Sequence, residues 1–228
     1  MPSAPASRKA RLINNEQVAV AIHLNEERWQ SFLHNLREST QDPTSRFECL
    51  FVIDDFVGSG STLLRCENGK WKGKLIRFYE DFQKYRETHL SSQAKIYVHH
   101  YVGSDAASKT VVTKRDEAAA ALGKDWFSPD AVEFTFGHVL PQDMPVTPEN
   151  SPEFLTLIEK YYDSDVQTTH TQVGGGENIR LGFGQCALPL VLEHNTPNNS
   201  IAILWAETEG NNGHHAMRPL FRRRQRHV

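Results

Sequence analysis

Leu50-Phe51-Val52-Ile53-Asp54-Asp55-Phe56-Val57-Gly58-Ser59-Gly60-Ser61-Thr62-Leu63-Leu64 is the stretch on which the fold turns. The apolar run Cys49 to Ile53 suits a strand covered on both faces, as in a parallel sheet. It delivers two carboxylates, Asp54 and Asp55, to a sheet rim. A loop of small residues follows, and Leu63-Leu64 is expected to begin a helix. Gly58 and Gly60 permit close backbone approach. The amides of Ser59 to Thr62 can converge on one anion at a helix N-terminus, and the hydroxyls of Ser59, Ser61 and Thr62 add donors. Paired carboxylates can accept from a ribose diol or, through water, neutralise Mg²⁺. A phosphate beside a sugar diol is the outline of a 5-phosphoribosyl group.

Outward from this stretch, strands and helices alternate. Gln17–Ile22 predicts a strand, and Asn25 caps a helix with Glu26 and Glu27 in its first turn. Trp29, Phe32, Leu33 and Leu36 form one apolar face, and residues 41–45 stop the helix. Further on, helices are expected over 73–88 and 106–122, and strands over 96–102 and 132–140. A Pro-rich loop, 141–152, precedes a helix with Phe154, Leu157, Ile158 and Tyr161 inward. Residues 163–186 are Gly-rich, including Gly174-Gly175-Gly176, which suit a linker or a mobile lid. Two short strands are expected at 188–192 and 201–205. The alternation predicts an α/β protein with a mostly parallel sheet flanked by helices. Ligands on such sheets bind at the carboxyl ends of strands.

The chain has 228 residues, 39% of them hydrophobic, and a net charge of −3. Apolar clusters of that density exclude global disorder. No apolar run approaches the ~20 residues of a membrane span. Three cysteines without CxxC spacing argue for a reducing compartment and against a disulfide framework. The expected location is the cytoplasm. Residues 1–12 are expected to be a flexible tail, 13–210 the domain, and 211–228 a basic tail.

The central stretch resembles the diphosphate-sugar signature of type I phosphoribosyltransferases: hydrophobics, two acids, two variable residues, then Ser/Thr-Gly-x-Thr. Asp54 and Asp55 fall on the acids, Ser59-Gly60 on the Ser/Thr-Gly pair and Thr62 on the closing Thr. Gly58 stands where that family usually has Thr or Ala. Trp71-Lys72-Gly73-Lys74 and His194-Asn195-Thr196-Pro197-Asn198-Asn199-Ser200 extend the likeness, over roughly residues 14–226. They resemble phosphoribosyltransferase-like proteins encoded by bacterial defence and conflict loci. The resemblance implies a phosphoribosyltransferase-like fold, binding of 5-phosphoribosyl-1-pyrophosphate (PRPP) or a related nucleotide with Mg²⁺, and an antiviral effector role. If active, such a protein transfers or hydrolyses at the anomeric carbon. The implied site residues are Asp54 and Asp55 for catalysis and Mg²⁺, and Gly58, Ser59, Gly60, Ser61 and Thr62 for phosphate. The upstream turn at His23-Leu24-Asn25 has neither the Gly nor the Lys or Arg of a pyrophosphate loop. Either this chain begins inside the family's domain, or the pyrophosphate is held differently.

Around this centre the residues leave alternatives. His194, Asn195, Asn198 and Asn199 suit contact with a base or pyrophosphate, or an Asx-rich turn. Lys72 and Lys74 suit an incoming phosphate or a solvated turn. His99 and His100 alternate across a strand and cannot chelate one metal together. His214-His215 lies in a polar loop without Cys or carboxylate support. Arg222, Arg223, Arg224 and Arg226 suit RNA or an acidic partner protein. They motivate a second expectation, a non-catalytic module that senses nucleotide or RNA. A third, S-adenosylmethionine-dependent methylation of nucleic acid, rests on the likeness of Asp54 to Thr62 to an Asp-Pro-Phe-x-Gly-Ser-Gly motif.

Overall fold

The computed structural model describes residues 25–123, 130–167, 178–210 and 215–221. The expected tail 1–12, the strand at 17–22, Gly174 to Gly176, His214 and Arg222 to Arg226 lie outside the described residues. The first helix, α1 (Glu26–Thr40), begins where its cap predicts: the Asn25 side chain accepts the Arg28 N–H, and Gln41 closes it in the left-handed conformation. Trp29 and Leu33 are its buried residues.

Strand β1 (Phe47–Val57) runs past the expected end at Ile53 and carries both acids inside it. An antiparallel hairpin follows, β2 (Arg65–Glu67) and β3 (Lys70–Lys72). Its two turn residues, Asn68 (φ 51°) and Gly69 (φ 73°), are both left-handed, as a two-residue hairpin loop requires. The helix expected over 73–88 is divided into α2 (Lys74–Gln83) and the single turn α3 (Arg86–His89). Next come β4 (Leu90–Ser104), α4 (Asp105–Leu122), β5 (Val132–Leu140) and α5 (Pro152–Tyr161).

The sheet has the order β1-β4-β5 and both pairings are parallel, so the chain is an α/β protein with a parallel sheet flanked by helices. The crossovers β1 to β4 and β4 to β5 progress in the same direction. Right-handed connections of that kind place their helices on one face. That face is the core: Ile96, Val98 and Val132 pack with Trp29 and Leu33 of α1, Leu75 and Phe78 of α2, and Val111 of α4. The opposite face displays Phe51 (63% exposed), Ile53, Tyr101 (60%) and Val139. The expectation of cover on both faces is therefore corrected, and the cause is this one-directional winding. In α5, Ile158 is buried, but Leu157 and Tyr161 are exposed, against the expectation for both.

Neither 188–192 nor 201–205 is a strand. Leu188 and Ser200 form an isolated bridge, and Ala202–Leu204 is a single 3-10 turn. Ile201 buries in a small cluster with Val146 and Ile158, Ala202 and Trp205 bury in another with Ile179 and Met217, and Leu188 is buried outside both. Short apolar runs have no periodicity to separate a strand from an irregular buried segment. Among the described residues, no helix is long and apolar enough to cross a membrane.

Candidate functional site at the carboxyl ends of the strands

The loop after β1 departs from its expected form in sequence and keeps it in space. No helix begins at Leu63. Instead, the N–H groups of Leu63 and Leu64 both donate to the Gly60 carbonyl and close one turn. The chain then leaves through the hairpin. When it returns, Lys74 N–H donates to Thr62 O and Leu75 N–H to Leu63 O, each at 3.0 Å. These offsets are twelve residues where a continuous helix has four. The hairpin is thus spliced out, and α2 continues the turn that the loop began. The Ser61 carbonyl, which lies in the gap, accepts from the Arg65 guanidinium at 3.2 Å. Gly73 (φ 127°) makes the junction, since a Cβ there would lie 2.3 Å from Leu63 O. The small-residue loop therefore stands at a helix N-terminus after all. Within it, the Ser59 and Ser61 hydroxyls are 2.8 Å apart, and Thr62 is exposed.

The splice also delivers a cation. Lys74 Nζ donates to Asp54 Oδ2 at 2.7 Å, and the other oxygen, Oδ1, accepts the Asp55 amide N–H at 3.1 Å. Neighbours in a strand point to opposite faces, so Asp54 lies on the helix-covered side, in register with His100, and Asp55 on the bare side. There Asp55 Oδ2 meets His194 Nε2 at 3.0 Å. Burial pushes the Asp55 carboxyl up, but the hydrogen bond from His194 and the other polar contacts of the group outweigh it and hold it below the usual carboxylate value. His100 is 1% exposed, and among the described residues its Nδ1 has no hydrogen-bond partner. Burial drives its pKa down to about 4, with the Asp54 charge opposing, so the ring is neutral at pH 7.

The segment carrying His194 and Asn199 closes over the loop. A Cβ on Gly58 would come within 2.3 Å of Asn199 Cγ, and one on Gly184 within 2.8 Å of Ser59 Cβ. Gly58 is thus required by the approach of Asn199, which accounts for its departure from the usual Thr or Ala. Asn199 Nδ2 donates to Phe183 O (2.9 Å) and to Cys186 Sγ (3.4 Å). From the other side, the Ser104 hydroxyl donates to Gly58 O and accepts the Ala107 N–H as the cap of α4. A cavity of about 200 Å³ opens here, lined by Gly58, Ser104, Asp105, Leu140, Pro141 and Cys186 among others. It sits at the carboxyl ends of all three strands. A larger hollow of about 470 Å³ lies near the amino ends of β1 and β4, beside Phe51 and Tyr97. It is remote from the acid pair, and sheets of this class bind ligands at the other end.

Of the expected residues, the structure gathers Asp54, Asp55, Gly58 to Thr62, His194 and Asn199 at one rim. Asn195 and Asn198 enter through their backbones: Asn195 exchanges bonds with Leu192, and the Asn198 carbonyl accepts from Phe183 N–H. Lys72 is held by Glu67, whose pKa falls to about 2 through hydrogen bonds from Lys72 and Arg65. The roles of Ser104 and Cys186 had no sequence signal. That of Lys74 had one, the Asn68-Gly69 pair, which marks a hairpin and so a shortcut from the loop to α2.

The strand, the small-residue loop and the spliced helix define a phosphoribosyltransferase-like α/β protein. More narrowly, the sequence model of the PRTase-CE family matches residues 8–223, and the chain belongs to that family. No curated protein and no solved structure matches it.

Proposed function

We propose that the rim from Asp54 to Thr62 binds a 5-phosphoribosyl ligand, PRPP or a related nucleotide, and that the protein acts on nucleotides as a bacterial antiviral effector. The observation that carries the binding reading is the loop itself: three hydroxyl side chains on a turn that α2 continues, the first of them four residues beyond an acid pair. The 5-phosphate lies against Ser59, Gly60, Ser61 and Thr62, where amides and the helix N-terminus favour an anion. The two acids divide the remaining task. Asp54, on the side of α2, accepts a ribose hydroxyl. Asp55 holds His194, and with it the segment that covers the loop. Chemistry at the anomeric carbon would draw on positioning and electrostatics.

The usual partner of such an acid pair is Mg²⁺. The donor set does not fit it at Asp54: one oxygen is on the Lys74 ammonium and the other on an amide. Mg²⁺ needs a near-octahedral oxygen shell, and a second cation in the same lobe meets the ammonium's repulsion. Among the described residues, no group of three or more His, Cys, Asp or Glu could hold a metal ion. The methyltransferase alternative finds no support, because Asn199 fills the approach to Gly58 that a cofactor would need.

Titration calorimetry with PRPP, ribose 5-phosphate and nucleoside monophosphates tests the reading. Heat is expected for the phosphorylated riboses, weakened at least about tenfold in Ser61→Ala/Thr62→Ala, which removes two donors. The absence of heat for every one of them sinks it. A phosphate-release assay then separates turnover from binding alone, the reading favoured by the fact that both carboxylates are already engaged.

A further inference from the structure

We infer that the Lys74 ammonium is the built-in counter-charge of the acid pair, so that the rim takes its phosphorylated ribose without a divalent cation. The inference rests on the ligand reading above and adds to it which cation serves the site.

Two features place Lys74 in this role. The first is distance: Nζ is 2.7 Å from Asp54 Oδ2, the position a cation bound by that carboxylate would take. The second is the splice. Lys74 N–H donates to Thr62 O, so backbone hydrogen bonding, and not the reach of a flexible side chain alone, fixes the ammonium beside the closing residue of the loop. The neighbouring cations are engaged elsewhere, Lys72 on Glu67 and Arg65 on Glu67 and Ser61 O. Asp55, the other acid, is met by His194 on the opposite face.

A carboxylate next to a bound phosphate needs a positive charge between them. In this protein the charge is covalently attached. The Asp54–Lys74 pair also offers a diol one acceptor and one donor, where a lone carboxylate offers acceptors only.

The first arm of the test needs no organic ligand. Mn²⁺ is titrated into the full chain and followed by its electron paramagnetic resonance signal, for wild type, Lys74→Met and Lys74→Met/Asp54→Asn. Lys74 is partly exposed, and thermal melts verify that the variants fold. The expected result is that Lys74→Met tightens Mn²⁺ binding at least about tenfold and that adding Asp54→Asn abolishes the gain, because removing the ammonium frees the carboxylate. Equal Mn²⁺ affinity in wild type and Lys74→Met overturns the inference.

The second arm measures ribose 5-phosphate binding in EDTA and in Mg²⁺; this probe lacks the pyrophosphate that would bring its own metal. Wild type and Lys74→Arg should bind within threefold in the two conditions. Lys74→Met should lose at least about tenfold in EDTA and recover in Mg²⁺, the signature of one cation replacing another. A wild-type requirement for Mg²⁺ overturns the inference and leaves the ligand reading intact. No binding in either condition, with the Mn²⁺ result as expected, removes the ligand reading and keeps Lys74 as the cation of Asp54.

Discussion

The two faces of the parallel sheet differ more than the two ends of any strand in it. One face carries α1, α2 and α4 and buries Ile96, Val98 and Val132. The other displays Phe51, Ile53, Tyr101 and Val139, with Phe51 stacked on Tyr97 at 4.9 Å between centroids. Both faces are built from the same strands, but the packed face is lined by Leu50, Val52, Ile96, Val98, Val132 and Phe134, whereas the open face mixes its aromatic residues with Lys95, His99, Glu133 and Thr135. What separates them is the direction of winding, which sends every crossover to the same side. The acid pair straddles this division. Asp54 belongs to the packed side and draws its partner from α2, whereas Asp55 belongs to the open side and draws its partner from the irregular segment near 194. Two adjacent residues of one motif thus have different neighbours and different work.

Paired substitutions across the sheet break or confirm this contrast most sharply. Ile96→Ala should cost about 3 kcal/mol of unfolding free energy, as large-to-small changes in a packed core do. Phe51→Ser on the open face should stay within about 0.5 kcal/mol, as a surface substitution does. Urea denaturation of both variants measures it, and comparable losses would show the open face to be covered.

The next effect is a dependence on pH specific to the packed side. His100 has a folded pKa of about 4, below the ordinary imidazole value of 6.5. Between those values the unfolded chain binds more protons than the folded one, so stability rises with pH across that window. It falls by up to about 3 kcal/mol as pH drops from 6.5 to 4. His100→Gln should flatten this part of the profile, whereas His99→Gln, on the open side, should leave it in place. Chemical denaturation at a series of pH values compares the two.

Gly58→Ala tests the closure of the loop. The new methyl enters the space of Asn199, so a loss of about 2 kcal/mol is expected, as for overpacked sites. Asn199→Ala in the same chain should recover part of it. Additive losses in the double variant would mean that the two residues do not touch.

The smallest effect is on the open side. His194→Ala removes a partly exposed pair with Asp55, worth about 0.5 kcal/mol. The clearer readout is the Asp55 carboxyl itself. Its folded value is depressed, so it stabilises the fold above the unfolded value and loses that contribution as pH falls through the folded one. In the His194→Ala variant, NMR titration should find its midpoint moved up.

How much of this was legible in advance differed by element. Asn25, the Trp29–Leu36 stripe, the 106–122 helix and the 132–140 strand carried their own caps and periodicities. The structure reproduces β5 residue for residue and α4 to within one residue. The loop chemistry of Asp54 to Thr62 was equally local. The runs at 188–192 and 201–205 carried no such signal, and Leu188, Ile201 and Ala202 are buried in irregular segments rather than strands. The hairpin had a signal, Asn68-Gly69, but it stood inside a region that otherwise suited a helix start.

From its sequence alone, the chain determined which residues are rigid, capped, acidic or small, because those properties act within a few residues of themselves. The tertiary structure decided which charges meet. Lys74 is twenty residues from Asp54 and His194 is far more distant from Asp55, and only the splice into α2 and the folding-over of the C-terminal segment bring them within hydrogen-bonding distance. Short-range propensities are summed along the chain, but a pairing of charges depends on the path the backbone takes between them; Asn68-Gly69 marks one turn of that path, and no local pattern encodes the rest.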